Sequence, residues 1–172
     1  MSDLVIRPQV GSPLAGGLQV GDLAPDFDLL TDPLGHGSLS ALAGQRVVLY
    51  FYPRDATPGC TTEACDFRDR IETLTKSGVV VLGVSRDSLK SHATFRAKQG
   101  LPFPLISDPD AALHQKYGAW GEKVLYGKRS IGPIRTTVLI GANGRVLSYF
   151  RPVKVKGHVD EVLGAIASGS KD

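Results

Sequence analysis

The sequence predicts an α/β fold with a central mixed sheet flanked by helices. Three observations carry this. Two continuous apolar runs, residues 47–52 and 79–84, have strand length and the β-branched and aromatic content of strands covered on both faces. Each is followed by a helix-forming stretch with its own start and stop residues. The dipeptide Asn143-Gly144 between the runs 135–140 and 145–150 is strong hairpin chemistry.

Taken in order, residues 1–17 read as a loosely attached N-terminal extension whose part at a sheet edge stays open. Residues 18–168 form one domain, and 169–172 a fraying tail. Asp26, Phe27, Asp28 and Leu29 alternate polar and apolar, the pattern of a half-buried strand. Asp32, Pro33 and Gly35 make a turn, and residues 38–43 have room for one helical turn closed by Gly44. Pro53 stops the strand at 47–52. Thr57 then offers an N-cap hydroxyl, and Pro58 stands at the first helical position. From Cys60 to about Lys76 the apolar residues Ala64, Phe67, Ile71 and Leu74 recur at spacings of three and four, so one helix is expected there, closed by Gly78. Ser88 caps a helix that Gly100 ends. Residues 101–106 hold two prolines and read as a short strand or an edge. Asp108 and Pro109 open a helix running through Tyr117. Residues 118–132 are glycine-rich and are assigned no element. A last helix starts at Gly157 or His158 and ends near Ala167. Strands alternating with helices imply parallel pairing with right-handed crossovers, and the closing hairpin adds an antiparallel edge. A strand, a turn carrying a cysteine and a helix, followed later by a hairpin and a terminal helix, is the thioredoxin-like arrangement.

Composition narrows the function. The chain has 172 residues, 42% hydrophobic and 22% charged, which suits one soluble domain with a real core. Twenty basic and 17 acidic residues leave a net charge of +3, with no basic cluster to hold nucleic acid. No apolar run approaches the ~18 residues of a membrane span. The start of the chain lacks the basic and apolar regions of a secretory signal, so a cytoplasmic protein is expected. Two cysteines in a chain this long make no disulfide scaffold and fit a redox-active pair in a reducing compartment.

Those two cysteines, Cys60 and Cys65, sit together in the stretch YFYPRDATPGCTTEACDF. Cys60 falls in the first turn of its helix, where free N–H groups and the macrodipole favour an anion, so a lowered thiol pKa is expected. Five helical residues separate the two by a rise of roughly 7.5 Å and a rotation of about 140°. Their Cα atoms then lie about 8–9 Å apart, beyond the ~7 Å reach of a disulfide. If the pair bonds, the first turns must unwind. Such a pair suits a reaction cycle better than a structural staple, and it lacks the additional ligands of a zinc site.

These residues resemble a peroxiredoxin of the bacterioferritin-comigratory-protein type, also called peroxiredoxin Q. The similarity spans about residues 18–167. GDLAPDF, at residues 21–27, looks like the family's opening, and YPRDATPGCTTEACDFRD, at residues 52–69, like its active-site block. GVSRDS, GLPFPLISD and YGAWGEK follow in the family's order. The resemblance implies that Cys60 is the peroxidatic cysteine, whose thiolate attacks a hydroperoxide and becomes a sulfenic acid. Cys65 would then be the resolving cysteine, closing an intramolecular disulfide that thioredoxin or a similar dithiol reductant reopens. Thr57 would hydrogen-bond the sulfur and the peroxide, Pro53 would shield the sulfur from water, and Arg135 would favour the thiolate and polarise the leaving oxygen. No metal or organic cofactor is implied, nor a nucleic acid or membrane partner, and a monomer is expected. Gly141 and Ala142 depart from the family's usual aspartate after the strand, and the extension before residue 18 is outside its pattern.

Other signals are open. A thiol–disulfide exchanger or redox-sensing module would use the same cysteines, although such proteins favour C-x-x-C. Glu63 reads equally as a supporting carboxylate and as plain helix surface. Trp120, Phe51 and Tyr52 are candidates for pocket walls or for core. His36, His92, His114 and His158 are scattered and read as surface or capping residues, not as a metal site.

Overall fold

The computed structural model describes residues 5–6 and 18–169. Among the described residues, ten strands and five α-helices follow one another as β1 (Val5–Ile6), β2 (Asp28–Asp32), β3 (Gly35–Ser38), β4 (Arg46–Phe51), α1 (Pro58–Asp69), α2 (Ile71–Lys76), β5 (Val79–Ser85), α3 (Leu89–Gln99), β6 (Leu105–Ser107), α4 (Ala112–Lys116), β7 (Trp120–Leu125), β8 (Lys128–Pro133), β9 (Thr136–Ile140), β10 (Val146–Phe150) and α5 (His158–Ser168). A short 3-10 turn, Ser40–Leu42, lies before β4.

Seven strands form the main sheet in the order β10-β9-β4-β5-β6-β2-β3. The fold is thioredoxin-like, a mixed sheet flanked by helices. Among the described residues, parallel pairing is confined to β4–β5 and β5–β6. The expectation of parallel pairing with one antiparallel edge is corrected here: β2 and β3 form a hairpin of their own and add a second antiparallel edge. Alternation of strands with helices dictates parallel pairing only where a helix crosses between neighbours, and no helix joins β2 to β3.

β4 lies inside the sheet between β9 and β5, and all six of its residues are buried. Pleating sends Val48, Tyr50 and Tyr52 to one face with Phe67, Leu74, Phe95 and Val162. It sends Val47, Leu49 and Phe51 to the other, with Phe27, Leu113 and Tyr117. Burying each such side chain contributes about 1.5–3 kcal/mol. Phe51 is therefore core on the face opposite Cys60, packed on His114 and Tyr117, whereas Tyr52 belongs to the same cluster as Cys60. Trp120 lies edge-on to His114 and beneath the Arg86 guanidinium.

Three other local readings need correction. The long helix from Cys60 is two helices, broken at Arg70 (φ −112°, ψ 12°) with no glycine or proline to announce it. Arg70 pairs with Asp160 of α5 at 2.8 Å while Ile71 packs on the core. Of the two readings open for residues 101–106, the short strand holds: β6 has three residues and is interior, because Pro102 and Pro104 precede it and cost the ladder no N–H group. Residues 118–132, assigned no element, hold the hairpin β7–β8. Tyr126 and Gly127 turn its corner with φ of 51° and 76°, the backbone of a tight hairpin turn. The helix expected from Asp108 starts only at Ala112, with the Asp108 carboxylate taking the N–H groups of Leu113 and His114. In the extension, Val5–Ile6 pair antiparallel with Val124 and Lys123 at the edge of that hairpin.

Gly83 lies beneath a ring of the core. A Cβ there would stand 2.8 Å from Leu105 Cδ2 and 3.0 Å from Tyr50 Cζ, and Tyr50 is held by stacking on Tyr52 and Phe67. Gly83→Ala is expected to cost about 1–3 kcal/mol, read as a lower urea midpoint at unchanged slope. An unchanged midpoint would show that the ring yields freely.

Candidate active site

The site is built where β4 ends. Tyr52 makes the last ladder bond, its N–H to Val84 O at 3.0 Å. Pro53 then has no N–H to offer, and the chain turns out of the sheet. Thr57 occupies the N-cap position in extended geometry (φ −81°, ψ 154°), with Pro58 opening the helix, as expected. The expected capping bond is not made. The Thr57 hydroxyl donates back to Arg54 O at 2.8 Å, because the loop folds that carbonyl within its reach.

Cys60 is the third residue of α1, in its first turn, and 2% exposed. Arg135, from the short link between β8 and β9, reaches the same turn. Its Nη2 donates to Cys60 Sγ at 3.4 Å and its Nη1 to Glu63 Oε1 at 2.6 Å. The guanidinium also lies over Gly59, where a Cβ would meet Nη2 at 3.3 Å. The sulfur thus faces the positive end of a helix and a guanidinium at once.

Glu63 is fully buried, and its Oε2 has no hydrogen-bond partner among the described residues. Burial pushes its carboxyl up to about 7 against the opposing pull of Arg135. Burial works against the Arg135 charge, yet Glu63 and Cys60 together hold that group above its ordinary range. Of the two readings open for Glu63, the supporting carboxylate is the one the structure favours. Its spacing of three from Cys60 puts both on one helix face, which was the only signal available in the sequence.

Cys65 lies elsewhere. It is half-buried on the same unbroken helix, and its thiol faces Gln99 Oε1 at 3.6 Å, at the end of α3. Both cysteines are free. Cys60, Glu63 and Arg135 are brought together, with Thr57 at the N-cap of the same helix and Pro53 half-buried at the loop's start; Cys65 is not among them.

The surface reading of the histidines is overturned for three of the four. His92, His114 and His158 are buried. His92 pairs with Asp55 at 2.7 Å, His114 with Asp108 at 2.6 Å, and His158 with Thr137 at 2.8 Å. Buried carboxylates need donors, and spacing along the chain does not reveal which imidazole supplies them. Asp55, Asp87 and His92 also lie close enough to hold a cation. Their ligand atoms are already engaged with Tyr52, Ser91, Ser85, Ile106 and the Asp55 N–H, so the group reads as a hydrogen-bond network.

Residues 20–149 match the AhpC/TSA family. The chain is 49% identical to peroxiredoxin Bcp of Xanthomonas campestris over 86% of this chain and 94% of that one. It is 43% identical to peroxiredoxin Bcp of Bacillus subtilis, over 90% and 98%. Among solved structures, peroxiredoxin Q of Xanthomonas campestris superposes with a TM-score of 0.81 at 45% identity, covering 88% of this chain and 96% of that one. A further Xanthomonas campestris structure, at 44% identity, is described in terms of alkyl peroxide reduction by bacterioferritin comigratory protein.

The buried carboxyl sets a pH dependence. Glu63 keeps its proton in the folded chain up to about pH 7 but releases it near 4.5 when unfolded. It therefore adds stability below 4.5 that is lost as pH rises to about 7. The difference is worth roughly 3 kcal/mol. Urea titrations of the reduced protein are expected to show the wild type losing stability relative to Glu63→Gln across that window. Parallel curves would refute a proton on Glu63.

Proposed function

The chain belongs to the AhpC/TSA family, as a peroxiredoxin of the Bcp or peroxiredoxin Q kind and a thiol-dependent peroxidase, and on that premise we propose that Cys60 is its peroxidatic and Cys65 its resolving cysteine. The observation that carries this is the Arg135 guanidinium 3.4 Å from a sulfur in the first turn of a helix.

The Cys60 thiolate attacks the terminal oxygen of a hydroperoxide. An S–O bond forms and the O–O bond breaks, giving a sulfenic acid and an alkoxide or hydroxide, which takes a proton from solvent and leaves as alcohol or water. Negative charge grows on the departing oxygen, and the fixed donors nearest to it are the Arg135 guanidinium and the N–H groups that open α1. The Thr57 hydroxyl has its proton committed to Arg54 O. Its oxygen is thus an acceptor, suited to take the peroxide O–H and orient it. Pro53 limits water at the sulfur. The Cys65 thiol then condenses with the sulfenic acid, releasing water and closing an intramolecular disulfide, for which α1 unwinds locally. A thioredoxin-type dithiol reopens it by exchange. Hydrogen peroxide and organic hydroperoxides both suit this chemistry, and the description of alkyl peroxide reduction for the Xanthomonas campestris relative supports the second. Free thiols fit a cytoplasmic protein. Among the described residues no helix is long and apolar enough to cross a membrane. An intramolecular bridge is compatible with a monomer.

Cys60→Ser is expected to abolish hydroperoxide consumption; turnover at the wild-type rate would refute the assignment. Cys65→Ser is expected to consume one equivalent of peroxide, hold a trappable sulfenic acid and fail to recycle with thioredoxin. Oxidised wild type is expected to run as a monomer on non-reducing gels, and a covalent dimer would contradict the intramolecular bridge.

A further inference from the structure

The proposed cycle asks two incompatible things of one segment. Cys60 must rest against Arg135 to react, and α1 must open for Cys60 to reach Cys65. What holds the first arrangement lies one loop upstream of the sulfur. Asp55 is 6% exposed although it sits in the loop between β4 and α1. Its Oδ1 accepts from the Tyr52 hydroxyl at 2.6 Å. Its Oδ2 accepts from the Ser91 hydroxyl at 2.8 Å and lies 2.7 Å from His92 Nδ1. Its N–H donates to Asp87 Oδ2 at 2.8 Å, an oxygen that also takes the Ser85 hydroxyl. His92 is fixed in turn by Ile106 O, 3.0 Å from its Nε2. Asp55 thus ties the loop to the end of β4 and the first turn of α3 through its carboxylate, to the end of β5 through its N–H and Asp87, and to β6 through His92.

The tie ends sharply. Ala56, the next residue, is exposed and held at φ 62°, a left-handed conformation that disfavours a residue with a Cβ. Beyond it Pro58 and Gly59 are exposed as well. Strain next to a fixed point persists only while the fixed point holds, so releasing Asp55 releases the loop that presents Cys60.

We propose that Asp55, held by Ser91 and His92, is a latch on the peroxidatic loop and a positioning residue that sets the fate of the sulfenic acid. This rests on the reading of Cys60 and Cys65 given above. Two reactions compete for the same sulfur. In one, Cys60–SOH and Cys65–SH give the disulfide and water. In the other, Cys60–SOH and a second hydrogen peroxide give the sulfinic acid and water. The first needs the open loop; the second proceeds at Arg135 with the loop closed. A tight latch favours peroxide attack and over-oxidation, and a loose one favours the bridge. A hydrogen bond to a charged group shifts such an opening equilibrium by about tenfold or more.

The test is quenched-flow alkylation with mass spectrometry, using full-length protein and hydrogen peroxide. It follows loss of the Cys60 thiol, appearance of the disulfide and the sulfinate fraction as peroxide is raised. Asp55→Asn keeps the shape and removes the charge; Ser91→Ala removes one tie and leaves the carboxylate. Both are expected to slow the first step several-fold, to speed disulfide formation, and to move sulfinate onset to higher peroxide, by about tenfold for Asp55→Asn and less for Ser91→Ala. A role in stability alone would lower the melting temperature and leave the partition between disulfide and sulfinate unchanged. That outcome, in variants that bind and react with peroxide, overturns the latch. Should Asp55→Asn fail to fold, Ser91→Ala decides. A wild type that forms no Cys60 sulfenic acid or Cys60–Cys65 disulfide would instead refute the underlying reading of the cysteines.

Discussion

The guanidinium of Arg135 is the constraint on which the site depends. It bridges a nearly buried sulfur and a fully buried carboxyl group, at 3.4 and 2.6 Å. The guanidinium would not be stable alone in such surroundings, because an unpaired buried charge costs several kcal/mol. Together the three groups are complementary, and each restricts the others' geometry. Cys60 and Glu63 come from successive turns of α1, whereas Arg135 arrives from a distant point of the chain. The pairing therefore fixes α1 to the β8–β9 link, and disturbing either disturbs the sulfur's field. The Arg135 backbone is held as well, its carbonyl accepting from Val153 N–H at 2.9 Å.

The remainder of the fold delivers these groups to one another. β4 is buried on both faces and paired on both edges, so its end is a rigid platform. Pro53 starts the loop there, and Tyr52 stays in the sheet with its hydroxyl turned to Asp55. The aromatic stack of Tyr52, Tyr50 and Phe67 runs from the strand to the last turn of α1. It holds the later turns of that helix against the sheet, while the first turn depends on Arg135.

Much of this was legible locally. The buried strands, the caps at Ser88 and Gly100, the Asn143-Gly144 turn and the place of Cys60 in a helix's first turn all follow from residues a few positions apart, and periodicity and capping are local physics. What was illegible is long-range. No pattern distinguishes Arg135 from other arginines without the family resemblance, and Glu63 stays open between supporting carboxylate and helix surface until Arg135, 72 residues on, is placed beside it. His92 looked solvated because the carboxylate that buries it lies 37 residues away. The break at Arg70 escaped because the helix is interrupted by tertiary packing, without a glycine or proline. The β7–β8 hairpin escaped because its turn residue with positive φ before the glycine is a tyrosine, which seldom adopts that conformation.

The distribution of restraints along the loop and α1 fits a segment that must open and reclose. Ala64 and Phe67 bury the later turns of α1. Asp55 anchors the chain before it. Between them, the helix start gives up a common source of local stability. A threonine N-cap that bonds its helix contributes about 1 kcal/mol. Thr57 spends its proton on Arg54 O instead and leaves the first N–H groups of α1 without a side-chain cap. Those N–H groups remain directed at the position where charge appears during attack. The missing cap also makes the first turn easier to unwind than the turns that follow. On the cycle proposed above, reactivity at the sulfur and the ability to release it would come from the same uncapped helix end, with the restraint on opening assigned to a carboxylate one loop away.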